Sequence, residues 1–207
     1  MKKFTLSIAT LLMVGLFMIP AQKADAQVAN YGYRPPITFG VKVGPNFSSI
    51  TSKVNGSKNT TDMLVGFQGG VYANIPIAPQ FYIQPSLMYQ GKGGKYKEGD
   101  VKERLNYITL PVDFLFKPEM PNGSGSWIVG VGPYFGYGIS GSNDAFKNDD
   151  ALKRFDVGAN VQLGYEMARG LNFVLNADLG LINIAKNGDS DNSIKNTSFG
   201  VTVGYTL

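Results

Sequence analysis

The sequence predicts an all-β protein, an eight-stranded antiparallel up-and-down transmembrane β-barrel. Three observations lead there: eight stretches of strict apolar/polar alternation, connections that are long and short in turn, and a polar face poor in charge. Alternation over such lengths is the mark of a strand with two different environments on its faces. Only 16% of the residues are charged, where a soluble domain carries about 25%.

The stretches run in order along the chain. Ile37 to Ser48 sets Ile37, Phe39, Val41, Val43 and Phe47 against Thr38, Lys42, Asn46 and Ser48. Met63 to Ile75 sets Val65, Phe67 and Val71 against Gln68, Tyr72 and Asn74, and Gln80 to Gln90 sets Phe81, Ile83, Leu87 and Tyr89 against Gln84 and Ser86. In Arg104 to Phe116 the parity changes, with Ile108, Leu110, Val112, Phe114 and Phe116 opposing Tyr107, Thr109 and Asp113. Ser126 to Ile139 has bulky residues from Trp127 to Ile139 on one face and chiefly glycine on the other. Lys153 to Met167, Leu171 to Ile182 and Thr197 to Leu207 complete the set. Each is long enough for the roughly 9–11 residues of a tilted transmembrane strand.

Residues 49–62, 91–103, 140–152 and 183–196 form long polar connections, whereas 76–79, 117–125 and 168–170 are shorter and hold turn formers such as Pro121-Asn122-Gly123. That asymmetry marks an outer-membrane barrel with long loops outside the cell and both termini in the periplasm.

The polar face separates a membrane barrel from a soluble one. A water-facing surface is dense in Lys and Glu, but here the residues are mainly Gly, Asn, Gln, Ser and Tyr. Small side chains suit the lumen of an eight-stranded barrel, which side chains just fill. The charges assigned to it are Lys42, Arg104, Asp113, Arg154, Asp156, Glu166 and Asp178. An internal salt-bridge network is expected of them, because an unpaired charge in a narrow lumen is costly. The apolar face ends in two aromatic groups. Phe39, Phe81, Phe116, Trp127, Tyr165, Phe173 and Tyr205 lie toward the short turns, and Phe47, Phe67, Tyr89, Tyr137, Phe155 and Phe199 toward the long loops. They fit the girdles at the two interfaces.

The first residues read as a secretory signal. Lys2 and Lys3 precede an apolar run from Phe4 to Ile19, Pro20 breaks it, and Ala24-Asp25-Ala26 supplies a cleavage signature. The expected division is a cleaved signal over 1–26, a short periplasmic segment over 27–36 and the barrel over 37–207. Losing Lys2, Lys3, Lys23 and Asp25 lowers the net charge from +4 to +2. Lys92, Lys95 and Lys97 are the densest basic group, and with Glu98, Asp100 and Glu103 beside them they read as a solvated loop rather than a nucleic-acid surface.

Phe39-Gly40-Val41-Lys42-Val43-Gly44-Pro45-Asn46-Phe47-Ser48 resembles the opening strand of the PorT-like outer-membrane barrels of Bacteroidetes-type bacteria. Tyr107-Ile108-Thr109-Leu110-Pro111-Val112 is similar to a mid-barrel signature of that family, and Gly130 to Tyr137 and Phe155-Asp156-Val157-Gly158 to its later strands. The resemblance spans residues 37–207 and implies an outer-membrane barrel. Through the family's name it also implies a link to protein secretion.

The composition excludes much chemistry. With no Cys and no His there is no disulfide, thiol nucleophile, lipidation site, thiolate or imidazole metal site, or Ser-His-Asp triad. Asp149-Asp150 is a candidate carboxylate pair, read as solvated in its polar loop. Asn187-Gly188-Asp189-Ser190-Asp191-Asn192 resembles a calcium loop without the glycine and the closing glutamate such a loop needs. No catalytic residue, metal or cofactor is therefore expected. The expected function is a non-enzymatic outer-membrane protein, a rigid anchor displaying four extracellular loops. A narrow pore or small-solute transport barrel and an accessory of a secretion machine stand as alternatives. The expected surroundings are outer-membrane lipid and lipopolysaccharide, with no nucleic acid, and the barrel is expected to be monomeric.

Overall fold

A strand with lipid on one face and other side chains on the other is stable in a membrane only if its backbone is paired on both edges. The chain meets that demand by closure. The computed structural model describes residues 35–54, 56–95, 102–142, 146, 152–185 and 192–207. The signal sequence, the calcium-like loop apart from Asn192, and Asp149-Asp150 lie outside the described residues. The strands are β1 (Thr38–Val54), β2 (Ser57–Thr60), β3 (Leu64–Ala78), β4 (Phe81–Lys95), β5 (Lys102–Phe116), β6 (Gly125–Gly141), β7 (Phe155–Met167), β8 (Leu171–Gly180) and β9 (Ser193–Thr206). All pairings are antiparallel between neighbours. β1 and β9 close the circle from Gly40↔Thr206 to Lys53↔Ser193.

The barrel is thus eight-stranded, and β2 is an addition. It pairs only with the end of β1, from Thr51↔Thr60 to Val54↔Ser57. Most strands also outlast their apolar alternation at the long-loop end. β1 runs to Val54 rather than Ser48, β4 to Lys95 rather than Gln90, and β9 begins at Ser193 rather than Thr197. The reason is that backbone pairing continues into water, where an apolar face is not required. β8 instead stops at Gly180, two residues short of Ile182.

Pairing also sets the size. Followed once around the wall, Phe39 leads through Ala73, Pro85, Val112, Pro133, Ala159, Leu179 and Thr197 to Ser49, a stagger of ten residues. With a rise of about 3.4 Å and a strand spacing of about 4.8 Å, eight strands at this stagger tilt by about 40° and close at a radius of about 8 Å. Opposite walls are then within reach of each other's side chains.

Burial is inverted relative to a water-soluble protein. Among the described residues, 35 large hydrophobic side chains are exposed, while 19 polar or charged residues are buried against 11 hydrophobic ones. Most of the exposed set forms the lipid-facing wall, with ring contacts at its rims such as Trp127 with Tyr165 and Tyr137 with Phe155. Inward, large residues face glycine across the ladder: Tyr72 opposite Gly40, Leu115 opposite Gly130, Tyr134 opposite Gly158. A Cβ on any of these three glycines would collide with its partner's side chain.

This inversion gives a direct test. Val131 lies on the outer face of β6, half exposed, close to the middle of the outward row from Trp127 to Ile139. Val131→Arg is expected to cost about 2–4 kcal/mol, the range for a basic residue at the midplane of a barrel's lipid face. Urea titration of the protein folded into phospholipid vesicles measures it. A change within error of zero would mean that this face does not meet hydrocarbon.

Candidate functional site

The lumen gathers nearly all the buried polarity, and it is layered. At the short-turn end Lys117 Nζ donates to Glu166 Oε1 at 2.7 Å, and Glu166 Oε2 accepts from Thr206 Oγ1 at 2.6 Å. Asn172 Nδ2 donates to Tyr72 Oη at 2.8 Å, and the Lys117 ammonium lies over the Tyr82 ring. An apolar patch of Leu115, Ile128 and Val174 follows, with Tyr82 packed on it.

The middle layer is tied across the barrel rather than along its wall. Gln162 Nε2 on β7 donates to Asp113 Oδ2 on β5 at 3.0 Å and to Gln84 Oε1 on β4 at 3.1 Å. Gln68 Nε2 on β3 reaches Asn176 Oδ1 on β8 at 2.8 Å. A cavity lined by Lys42, Gln68, Gln90, Asp113 and Asn176 among others has a volume of about 10 Å³, room for about one water.

Above it lies the densest charge. Lys92 Nζ is 3.5 Å from Asp178 Oδ2 and 4.0 Å from Asp156 Oδ2, and 4.4 Å from the centre of the Tyr134 ring. Asp178 accepts from Gln90, Asn160 and Ser198, and Asp156 from Tyr134 and Asn196. At these separations Lys92 is held by charge and by the ring face rather than by a short hydrogen bond. At the long-loop end Phe146 packs with Ile50, Leu105, Tyr107, Leu152 and Ile194. Its ring stands edge-on to Tyr107 at 5.8 Å and fills the space beside Gly138. Arg154 lies over the Phe146 ring and donates to the carbonyls of Gly138 and Phe146.

The seven charges assigned to the lumen therefore divide. Asp113, Asp156 and Asp178 are buried within it. Lys42 lines the mid-lumen cavity, and Glu166 and Arg154 stand at opposite ends. Arg104 does not belong. Leu105, Tyr107 and Thr109 are the inward positions of β5, so Arg104 is exposed on the outer face. It lies beyond the apolar run, where an outward charge meets no hydrocarbon. The correction extends to the partners. Among the described residues Asp156 and Asp178 pair with Lys92, and Glu166 with Lys117, two lysines outside the seven expected lumen charges. The sequence expectation of a solvated loop fails for Lys92, which is 1% exposed. Its even number, which it shares with Gln84, Ser86 and Gln90, was the available signal.

Removing one partner of a buried pair leaves the other charge uncompensated, which costs about 3–5 kcal/mol. Lys92→Met is expected to destabilise the folded barrel by that order in urea titration. Adding Asp178→Asn to it should recover part of the loss. If Lys92→Met alone were neutral, the cluster would not be contributing to stability.

In sequence, no curated protein matches the chain. Among solved structures it is similar in shape to the outer membrane protein OprG from Pseudomonas aeruginosa, with 15% identity, 82% of this chain and 95% of that one covered, and a TM-score of 0.49. It is also similar to Neisserial surface protein A, with 10% identity, 84% and 100% covered and a TM-score of 0.49. A third likeness is to Ail, the attachment invasion locus protein of Yersinia pestis, with 11% identity, 82% and 98% covered and a TM-score of 0.44. The family model described as outer membrane protein beta-barrel domain matches residues 9–206. With that match and a closed eight-stranded barrel, the chain belongs to the outer membrane protein β-barrel domain family, whose place is the bacterial outer membrane.

Proposed function

We propose that the protein is a non-enzymatic, closed barrel that anchors four extracellular loops rigidly in the outer membrane. The observation that carries this reading is the filled lumen. Amides from β3, β4 and β7 reach across to β8, β5 and β4, and the mid-lumen cavity has room for about one water. Ion pairs and hydrogen bonds at several depths hold the wall in one shape, which suits an anchor. The chain also has no thiol or imidazole to serve as nucleophile or base, and the lumen carboxylates accept hydrogen bonds from neighbouring amides, hydroxyls and lysine. The Tyr107–Val112 motif supports a place among the PorT-like members of the family. A secretion machine's component copurifying with the protein would extend the reading to an accessory role.

Conductance in planar bilayers tests the closed state. The purified protein is expected to give no stable openings, and reproducible unitary steps would overturn the reading in favour of a pore. One feature favours that second reading in a gated form. Among the described residues Phe146 packs into the long-loop end of the lumen, and Lys92 Nζ and Asp156 Oδ1 are buried without a hydrogen-bond partner. For the closed anchor, Phe146→Ala stays silent because the layers below still fill the lumen. For a gated pore the same variant opens.

A further inference from the structure

At the short-turn end, the connection 117–125, the turn 168–170 and the end of β9 enclose a cavity of about 600 Å³. That is the size of a small-molecule site, about 300–1,000 Å³. Glu119, Glu166, Met167, Ala168, Arg169 and Tyr205 are among the residues lining it. Main-chain hydrogen bonds fix its frame. Ala168 N donates to Ser124 O at 3.0 Å, Met120 N to Gly125 O at 2.8 Å and Thr206 N to Gly170 O at 2.8 Å, and Ser124 Oγ lies 2.9 Å from Tyr165 Oη. Gly170 turns at a φ of +88°, and a Cβ there would strike the Thr206 carbonyl. The cavity is therefore built into the fold rather than opened by a ligand.

Its charges are of two kinds. Glu166 is already engaged, accepting from Lys117 Nζ and Thr206 Oγ1, which neutralises the side nearest the lumen. Glu119 and Arg169 are exposed, and among the described residues neither side chain takes part in a hydrogen bond or an ion pair. They stand on separate walls. Glu119 is opposite Ser126 and Ser126 opposite Glu166, so Glu119 is two strand spacings, about 10 Å, from the end of β7 that leads into Arg169. A free anion and a free cation at that spacing select a ligand of the reverse polarity, with a cationic end for Glu119 and an anionic end for Arg169. A dianion is repelled by the first and a diamine by the second. Between them Met167, Ala168 and Tyr205 offer an apolar middle.

We propose that this cavity binds short zwitterionic peptides of about three residues. At about 3.3 Å per extended residue the terminal ammonium and carboxylate of a tripeptide are about 10 Å apart, which matches the spacing of the two walls. The Arg169 guanidinium takes the carboxylate through parallel N–H donors, Glu119 accepts from the ammonium, and the central side chain lies against Met167 and Tyr205. The peptide stays at the mouth, because the lumen beyond has room for about one water. The proposal goes beyond the anchor reading. Only its periplasmic placement rests on the short turns facing inward.

Isothermal titration calorimetry of the full-length protein in detergent micelles tests it, with the free tripeptide Ala-Leu-Ala as the probe. Blocking either end of the peptide, by N-acetylation or C-terminal amidation, is expected to weaken binding about three- to tenfold, since each removes one charge-assisted contact at an exposed site. Two variants assign the ends. Arg169→Gln should weaken the free peptide and no longer distinguish it from the amide, and Glu119→Gln should no longer distinguish it from the acetylated form. Lys58→Gln at the opposite end should change nothing. All three are expected to keep the heat-modifiable folded band, because these side chains are exposed. No binding at millimolar peptide, equal binding of free and blocked peptides, or undiminished binding in both cavity variants would overturn the proposal. So would phosphoethanolamine binding as tightly as the peptide, which would assign the cavity to a lipid headgroup. Failure of the anchor reading looks different: it appears as unitary conductance steps, which none of these titrations reads.

Discussion

A peptide group in the hydrocarbon core of a bilayer has no water to bond with, so every N–H and C=O of the wall must find its partner on a neighbouring strand. For eight strands that requirement is met only when the last pairs with the first, as β9 does with β1. Closure then dictates the rest. A stagger of ten residues on eight strands fixes the tilt and the radius, and a radius of about 8 Å leaves an interior that side chains must fill. The scarcity of charge and the abundance of glycine are consequences of this geometry. Within the hydrocarbon the outer face has little tolerance for charge, and the inner face has no room for a large residue at every position.

What fills the interior is polar, and this too follows from closure. The apolar residues are committed to the lipid, so the inner face holds what remains, and buried polar groups are costly unless they are paired. The pairing runs across the lumen. Gln68 meets Asn176, Gln90 meets Asp178 and Gln162 meets Gln84, each contact joining strands that are not neighbours. Such contacts act as struts, resisting flattening of the wall in a way that ladder hydrogen bonds alone do not. Lys92 adds a charged one. It joins β4 to both β7 and β8, and its charge is met by two carboxylates and by the ring faces of Tyr107 and Tyr134.

The architecture was legible because a period of two is a strong signal when both faces are specialised. Strand count, the order of long and short connections and the girdle residues could all be read from it. The ends of the strands were less legible. Alternation reports the hydrocarbon slab, whereas pairing reports the backbone, and the two part company above Ser48 and Gln90. The lumen charges were legible only in part, for the same reason. Lys92 lies beyond the last outward apolar residue of β4, Tyr89, so it looked like loop although its parity still aimed it inward. Arg104 failed in the opposite sense: it was assigned by its polarity, and counting back from Tyr107 would have placed it outside. Parity was the better guide than residue type in both cases.

Parity alone does not explain why one register prevails. Sliding a strand by one residue against its neighbour would send Asp178 into lipid and Leu179 into the lumen, so single slips are forbidden by the membrane itself. A slip of two restores both faces, and the membrane is indifferent to it. The lumen is not. Tyr134 faces Gly158, Tyr72 faces Gly40, Leu115 faces Gly130 and Val174 faces Gly164, so a large residue sits beside a missing side chain in four of the barrel's seams. Shifted by two, Tyr134 would face Asp156 or Asn160, and Tyr72 would face Thr38 or Lys42. Each collision disrupts a core in which a single added methylene group already costs energy. The glycines of the inner face therefore do more than make room. They admit one stagger and reject its neighbours, and the stagger sets the radius at which the cross-lumen hydrogen bonds can form.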